Sequence, residues 1–140
     1  MNAKEYLSQA WLMEKQVDSK LQQIATLRSM AEGLNQCIAS EPVTHTRNVA
    51  AMQDTVNKII EAEADLNAEI DELVDLKRGI KGTIAQVRSP MYRLILENRY
   101  LGFMKWEKIA FDLGYTIRWV QMRHREALEV VQRLLDERVS

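Results

Sequence analysis

WEKIAFDLGYTIRWVQMRHREAL, residues 106–128, parses into two short helices around a tight turn. Trp106 through Leu113 carries apolar residues at helical spacing. Gly114 supplies the left-handed position that ends a helix without a Cβ penalty. Thr116 then serves as N-cap, its hydroxyl accepting from an otherwise orphan backbone N–H. Val120, His124, Ala127, Leu128 and Val131 fall on one side of the helix that follows. Helix, glycine turn and capped helix together spell a helix-turn-helix.

With that side turned to a core, the opposite face presents Ile117, Arg118, Gln121, Met122 and Arg125. The second helix of such a motif enters the DNA major groove with its N-terminal half against base edges. Arginine pairs bidentately with guanine and glutamine with adenine, which makes Arg118 and Gln121 the base-reading candidates. Arg125, one turn further out, suits a phosphate, and Arg123 flanks the groove. Lys105 and Lys108, at the start of the first helix, add phosphate contacts. Trp106 and Trp119 read as core and rim, and His124 as a residue at the core edge.

Upstream, Ser89-Pro90 marks a helix start, serine as N-cap and proline at the first helical position. The helix is expected to run to about Tyr100, with Tyr92 or Met91, Leu94, Ile95 and Tyr100 facing a small core. Before it stand two long helices with narrow apolar seams. From Ala3 to Ile38 the seam runs through Tyr6, Ala10, Met13, Val17, Leu21 or the Lys20 stem, Ile24, Leu27, Ala31, Leu34 and Ile38. Gly33 marks an expected fraying point in this helix. Pro42, among Ser and Thr residues, breaks the chain. The second helix, starting near Thr44 or Thr46, has its seam at Val49, Met52, Val56, Ile59, Glu63, Leu66, Ile70, Leu73, Lys77, Ile80, Ile84 and Val87. Alternating spacings of three and four are the heptad signature, and two such helices on a short loop predict an antiparallel coiled-coil hairpin. The seam keeps phase across Gly79 and Gly82, so a continuous but bendable helix is expected there. The fold class is therefore all-α. A long antiparallel coiled-coil helical hairpin spans 1–88, and a small helix-turn-helix domain spans 89–140. Leu7, Trp11, Leu12, Ile60 and Val74 lie beside the seams, an additional apolar surface that suits a homodimer.

Charge divides along the same boundary. Residues 1–87 carry 9 basic against 13 acidic side chains, whereas 88–140 carry 10 against 7. Glu61, Glu63, Asp65, Glu69, Asp71, Glu72 and Asp75 follow one another without an intervening base, while Arg118, Arg123 and Arg125 precede Glu126 without an intervening acid. A basic end on an acidic support suits double-stranded DNA as partner. No apolar run approaches the roughly 18–20 residues that span a bilayer, so no membrane partner is expected. The single cysteine, Cys37, forms no internal disulfide and points to a cytoplasmic setting. His45 has no second His or Cys at ligand spacing, and no nucleophile motif or phosphate-cradling glycine loop occurs. The expectation is no catalytic set, no metal, no cofactor, and no enzyme.

Arg99-Tyr100, Trp106-Glu107-Lys108-Ile109-Ala110, Leu113-Gly114-Tyr115, Arg118, Val120 and Ala127-Leu128 resemble region four of sigma-seventy-type transcription factors. The match is closer to small phage and prophage regulators with such an end, including the ArpU- and RinA-type late regulators. Lys4-Glu5-Tyr6-Leu7 and Lys58-Ile59-Ile60 through Lys77-Arg78 resemble the N-terminal helices of one such family. The resemblance implies a DNA-binding regulator of transcription, base contacts near Arg118, Gln121 and Met122, and RNA polymerase as a further partner. Two positions depart from the pattern: Lys105 stands where Ser or Thr caps the first helix, and Met122 where a polar or basic residue is common. The alternative readings are a phage DNA-packaging protein like the small terminase subunit and a coiled-coil adaptor.

Overall fold

The structure is a computed structural model that describes residues 2–40 and 45–139, with the side chains of 35–40, 45, 46 and 48 outside the described set. The Pro42 break, the choice of Thr44 or Thr46 as cap, and the side chains of Cys37 and His45 lie outside the described residues. What is described is helical, with no strand: α1 (Ala3–Ser40), α2 (His45–Ala85), α3 (Pro90–Leu96), a wide turn over Glu97–Leu101, α4 (Trp106–Leu113) and α5 (Ile117–Val139). Among the described residues no helix is long and apolar enough to cross a membrane.

The chain divides into two compact units, one of Met1–Met13 with Leu73–Ser140 and one of Glu14–Glu72. In the second, Val17, Ile24 and Ala31 of α1 and Leu66 of α2 are buried. Lys20 pairs with Glu69 at 2.6 Å and Arg28 pairs with Glu63, so within this unit rising numbers on one helix meet falling numbers on the other. Thr55 is also buried, its hydroxyl donating to Ala51 O at 2.9 Å. Each buried hydroxyl needs such a partner, because an unmet one costs about 1–3 kcal/mol.

The seams differ in phase from the sequence reading at specific layers. Leu21 and Ile70 are exposed, at 48 % and 36 %, and the partly buried Lys20 and Glu69 take their layer as an ion pair. Val17, Lys20 and Ile24 are spaced by three and four as Val17, Leu21 and Ile24 are by four and three, and the pairing with Glu69 selects Lys20 over Leu21. Lysine tolerates the place because its methylene stem packs while the ammonium reaches a carboxylate. Val49 is exposed as well, at 44 %. α1 continues through Gly33 to Ser40 rather than fraying, the roughly 1 kcal/mol cost of one glycine being outweighed by its helical neighbours.

In the first unit the start of α1 is anchored by Ala3 N donating to Gln132 Oε1 at 2.7 Å. Leu7, not Tyr6, is fully buried, together with Ala10, Ile80, Ile84 and Val87. Tyr6 stays at the edge because its hydroxyl needs a polar partner, which it finds in Thr83 Oγ1 at 3.0 Å. Ser89 caps α3 by accepting from Tyr92 N at 3.3 Å, with Pro90 at the first helical position. α3 is shorter than the sequence suggested, and Leu96 is buried where Leu94 is 40 % exposed. Beyond it the chain makes a π-helical turn, closed by Gly102 N donating to Glu97 O at 2.9 Å.

α2 is helical through both Gly79 and Gly82, as the unbroken seam requires, and a Cβ added at either meets nothing within 4 Å. Gly79→Ala and Gly82→Ala are therefore each expected to stabilise the protein by about 0.5–1 kcal/mol, through helix propensity and a more restricted unfolded chain. Urea midpoints of the two variants check this; a lowered midpoint in either overturns it.

Candidate nucleic-acid interface

The turn between α4 and α5 is built by backbone chemistry. Gly114 sits at φ 76° and ψ 25°, the left-handed region that favours glycine. Its N–H donates to Ala110 O and Phe111 O at 3.0 and 3.2 Å, and Tyr115 N donates to Ala110 O at 3.1 Å. This pattern satisfies the carbonyls that the end of α4 would otherwise leave orphaned. Thr116 Oγ1 accepts from Trp119 N at 3.1 Å and caps α5. The ring of Tyr115 stacks on that of Trp119, centroids 3.8 Å apart and planes within 12°, which ties the turn to the helix it launches. Lys105 occupies the cap position of α4 and makes no side-chain cap bond there.

Ile109, Ala110, Val120 and Ile95 form the buried cluster beneath the turn, with Met91, Met104, Trp106, Leu113 and Trp119 packed against it. Val120, His124, Ala127 and Val131 are the buried stripe of α5, and Leu128 lies half-buried beside it. The opposite stripe leaves Ile117, Arg118, Gln121, Met122 and Arg125 exposed. Arg118, Gln121, Met122 and Arg125 are brought together around one shallow surface depression. The N-terminal end of α5 adds the positive pole of the helix dipole to these arginines.

The remaining candidates stand apart from that group. Arg123 Nη1 donates to both carboxylate oxygens of Glu126 at 2.8 Å, and its guanidinium lies 5.4 Å from the centre of Trp119. Tyr92 donates its hydroxyl to the same carboxylate at 2.5 Å. That hydroxyl first, and then Arg123, hold the Glu126 carboxyl below its ordinary range. Lys108, one turn into α4, pairs with Asp112 at 3.1 Å. Lys105 is exposed.

Behind the exposed face sits a polar pair that periodicity did not disclose. Tyr100 Oη and His124 Nε2 share a hydrogen bond of 2.6 Å, and both residues are buried. Trp106 meets the imidazole edge-on with centroids 4.7 Å apart, and the Arg99 guanidinium lies 4.4 Å over the Trp106 ring. Burial, followed by the charges of Arg99, Lys4 and Arg125, pushes the His124 pKa down to about 4. Burial likewise raises the Tyr100 hydroxyl to about 12. The sequence puts each residue at the core, Tyr100 on the helix after Pro90 and His124 on the apolar stripe of α5, but a bond across 24 residues leaves no mark in either helix's period. Among the described residues no three His, Cys, Asp or Glu side chains converge as metal ligands.

No protein-family model, curated protein or solved structure matches the chain.

Two stability consequences follow from this geometry. Gly114→Ala forces a Cβ into the left-handed region and is expected to cost about 1–2 kcal/mol, although nothing crowds the site. An unchanged denaturation midpoint refutes that account of the turn. His124 is neutral when folded but takes up a proton below about pH 6.5 when unfolded. Stability is therefore complete above about pH 6.5 and declines as pH falls toward about 4, by about 3 kcal/mol in all. Urea midpoints at pH 7, 6 and 5 should drop for the natural chain and stay nearly level for His124→Gln. An equal drop in both assigns the pH dependence elsewhere.

Proposed function

We propose that this chain is a DNA-binding regulator of transcription of the phage and prophage type, reading the major groove with the first two turns of α5. The observation that carries the reading is the exposed set Arg118, Gln121, Met122 and Arg125, clustered on a helix that a left-handed glycine and a threonine cap launch from α4. No carboxylate precedes Glu126 on that helix, and Glu126 itself is engaged by Arg123 and Tyr92. In this reading Arg118 and Gln121 pair with base edges, and Ile117 and Met122 make apolar contacts such as to a thymine methyl. Arg125 and Lys105 take phosphates. Arg123 and Lys108 act on phosphate only by exchanging their present carboxylate partners.

The resemblance to sigma region four supports the same assignment and adds RNA polymerase as a partner. The proposed arrangement is an antiparallel coiled-coil hairpin over 1–88 as support for a helix-turn-helix domain over 89–140, acting in the cytoplasm. Exposed Trp11 and Leu12 on α1, and Ile60 and Val74 on α2, suit self-association as a homodimer.

Selection of binding sites from random duplex DNA, followed by binding titrations over a range of salt, tests the proposal. Replacing Arg118 or Gln121 by Ala should each weaken the selected site by roughly 10–100-fold and relax its sequence at one position. Arg125→Ala should weaken all duplexes alike and reduce the salt slope by about 1. Equal binding by all three variants removes α5 from the interface. A ring of many subunits in light scattering would instead favour DNA packaging.

A further inference from the structure

The first unit contains a cleft of about 240 Å³ to which the DNA-reading proposal gives no role. Its lining brings together two cations, Lys4 of α1 and Arg99 of the wide turn, without a single carboxylate. Three rings add apolar wall: Trp11, Phe103 and Trp106. The hydrogen-bonded Tyr100–His124 pair supplies the polar remainder, with the imidazole held neutral and adding no charge of its own.

Several of these groups are fixed before any ligand arrives. Arg99 Nη1 donates to Met104 O at 2.9 Å, which places the guanidinium over the Trp106 ring. A guanidinium has five donors in a planar fork, so the one bond to Met104 leaves others for a ligand. Phe103 stands at φ 54°, a left-handed backbone that a bulky residue rarely adopts, and Lys77 Nζ lies 5.0 Å from the centre of its ring. A side chain held at that conformational cost on the wall of a cleft is the kind of outlier found at ligand sites.

We propose that this cleft binds a small planar aromatic anion, its ring against Trp106, Phe103 and Trp11 and its acidic group against Lys4 and Arg99. Flat rings pack on the indoles and phenyl, and the two cations find here the counter-charge that the lining of the cleft does not supply. The volume lies below the roughly 300–1,000 Å³ of drug-sized sites, which limits the occupant to about one ring system with one acidic group. The acidic group is a carboxylate or a phosphate, and the two are separable by experiment. The inference rests on the cleft alone and stands or falls apart from DNA binding.

The three tryptophans make the test specific, since Trp11 and Trp106 line the cleft and Trp119 does not. The full chain, labelled with ¹⁵N, is titrated with indole-3-acetate and separately with phenyl phosphate while the indole N–H signals are followed. Saturable shifts of Trp11 and Trp106, with Trp119 unmoved, are expected for at least one probe; the first identifies a carboxylate ligand and the second a phosphate. Lys4→Glu should weaken that binding at least tenfold without lowering the thermal midpoint. Neutral indole should bind at least tenfold more weakly than indole-3-acetate if the carboxylate probe is the one that binds. No shift with either probe at millimolar concentration overturns the proposal. So does movement of Trp119 alone, or binding that Lys4→Glu leaves intact.

Discussion

The first unit, Met1–Met13 with Leu73–Ser140, depends on an imidazole that has to remain uncharged. His124 lies on the stripe of α5 that would otherwise be wholly apolar, between buried Val120 and Ala127. Ionisation there would place a charge in a largely buried site close to Arg99, Lys4 and Arg125, all positive. The hydrogen bond to Tyr100 meets the polarity of the ring without adding charge. Because Tyr100 belongs to the wide turn and Trp106 begins α4, one neutral ring joins three successive elements. The exposed face of α5 is oriented by what its hidden face grips.

Much of this could be read from residue order, and the reasons are local. Gly114 and Thr116 act within one turn of chain, so their conformations follow from their own chemistry and that of their immediate neighbours. Ser89-Pro90 behaves likewise. The buried and exposed stripes of α5 were legible because a single helix obeys one period. The bonds of Arg123 with Glu126 and of Lys108 with Asp112 were equally available to a spacing of three or four, but a search for phosphate ligands looks past them.

What stayed hidden involved choices between adjacent residues or partners far apart in sequence. Leu7 displaces Tyr6 at one layer, and Lys20 with Glu69 displaces Leu21 with Ile70 at another. Tyr6 and Lys20 share one heptad position and Leu7 and Leu21 the next, so polar partners at each layer decide, Thr83 for Tyr6 and Glu69 for Lys20. An ion pair at such a layer favours one alignment of the helices, since a shifted register strands a charge against apolar neighbours. The Tyr100–His124 bond and the cleft beside it join residues of separate elements, 24 positions apart, and no single helix period links them.

The π-helical turn acts as a rotation device. Tyr100 falls about 40° from the fully buried Leu96 on a regular α-helix, so what the turn changes is the direction of the chain beyond it. By closing a loop of i to i+5, the stretch from Glu97 to Leu101 takes in one more residue than a regular turn and so rotates the chain that leaves it. One residue is thus an insertion whose effect is angular: it re-aims everything that follows without lengthening the connection to α4. Removing a single residue between 97 and 101 would leave composition and hydrophobicity almost unchanged, yet re-aim α4 and its Trp106. The entry into α4 is therefore sensitive to the count of residues in that turn as well as to their kind.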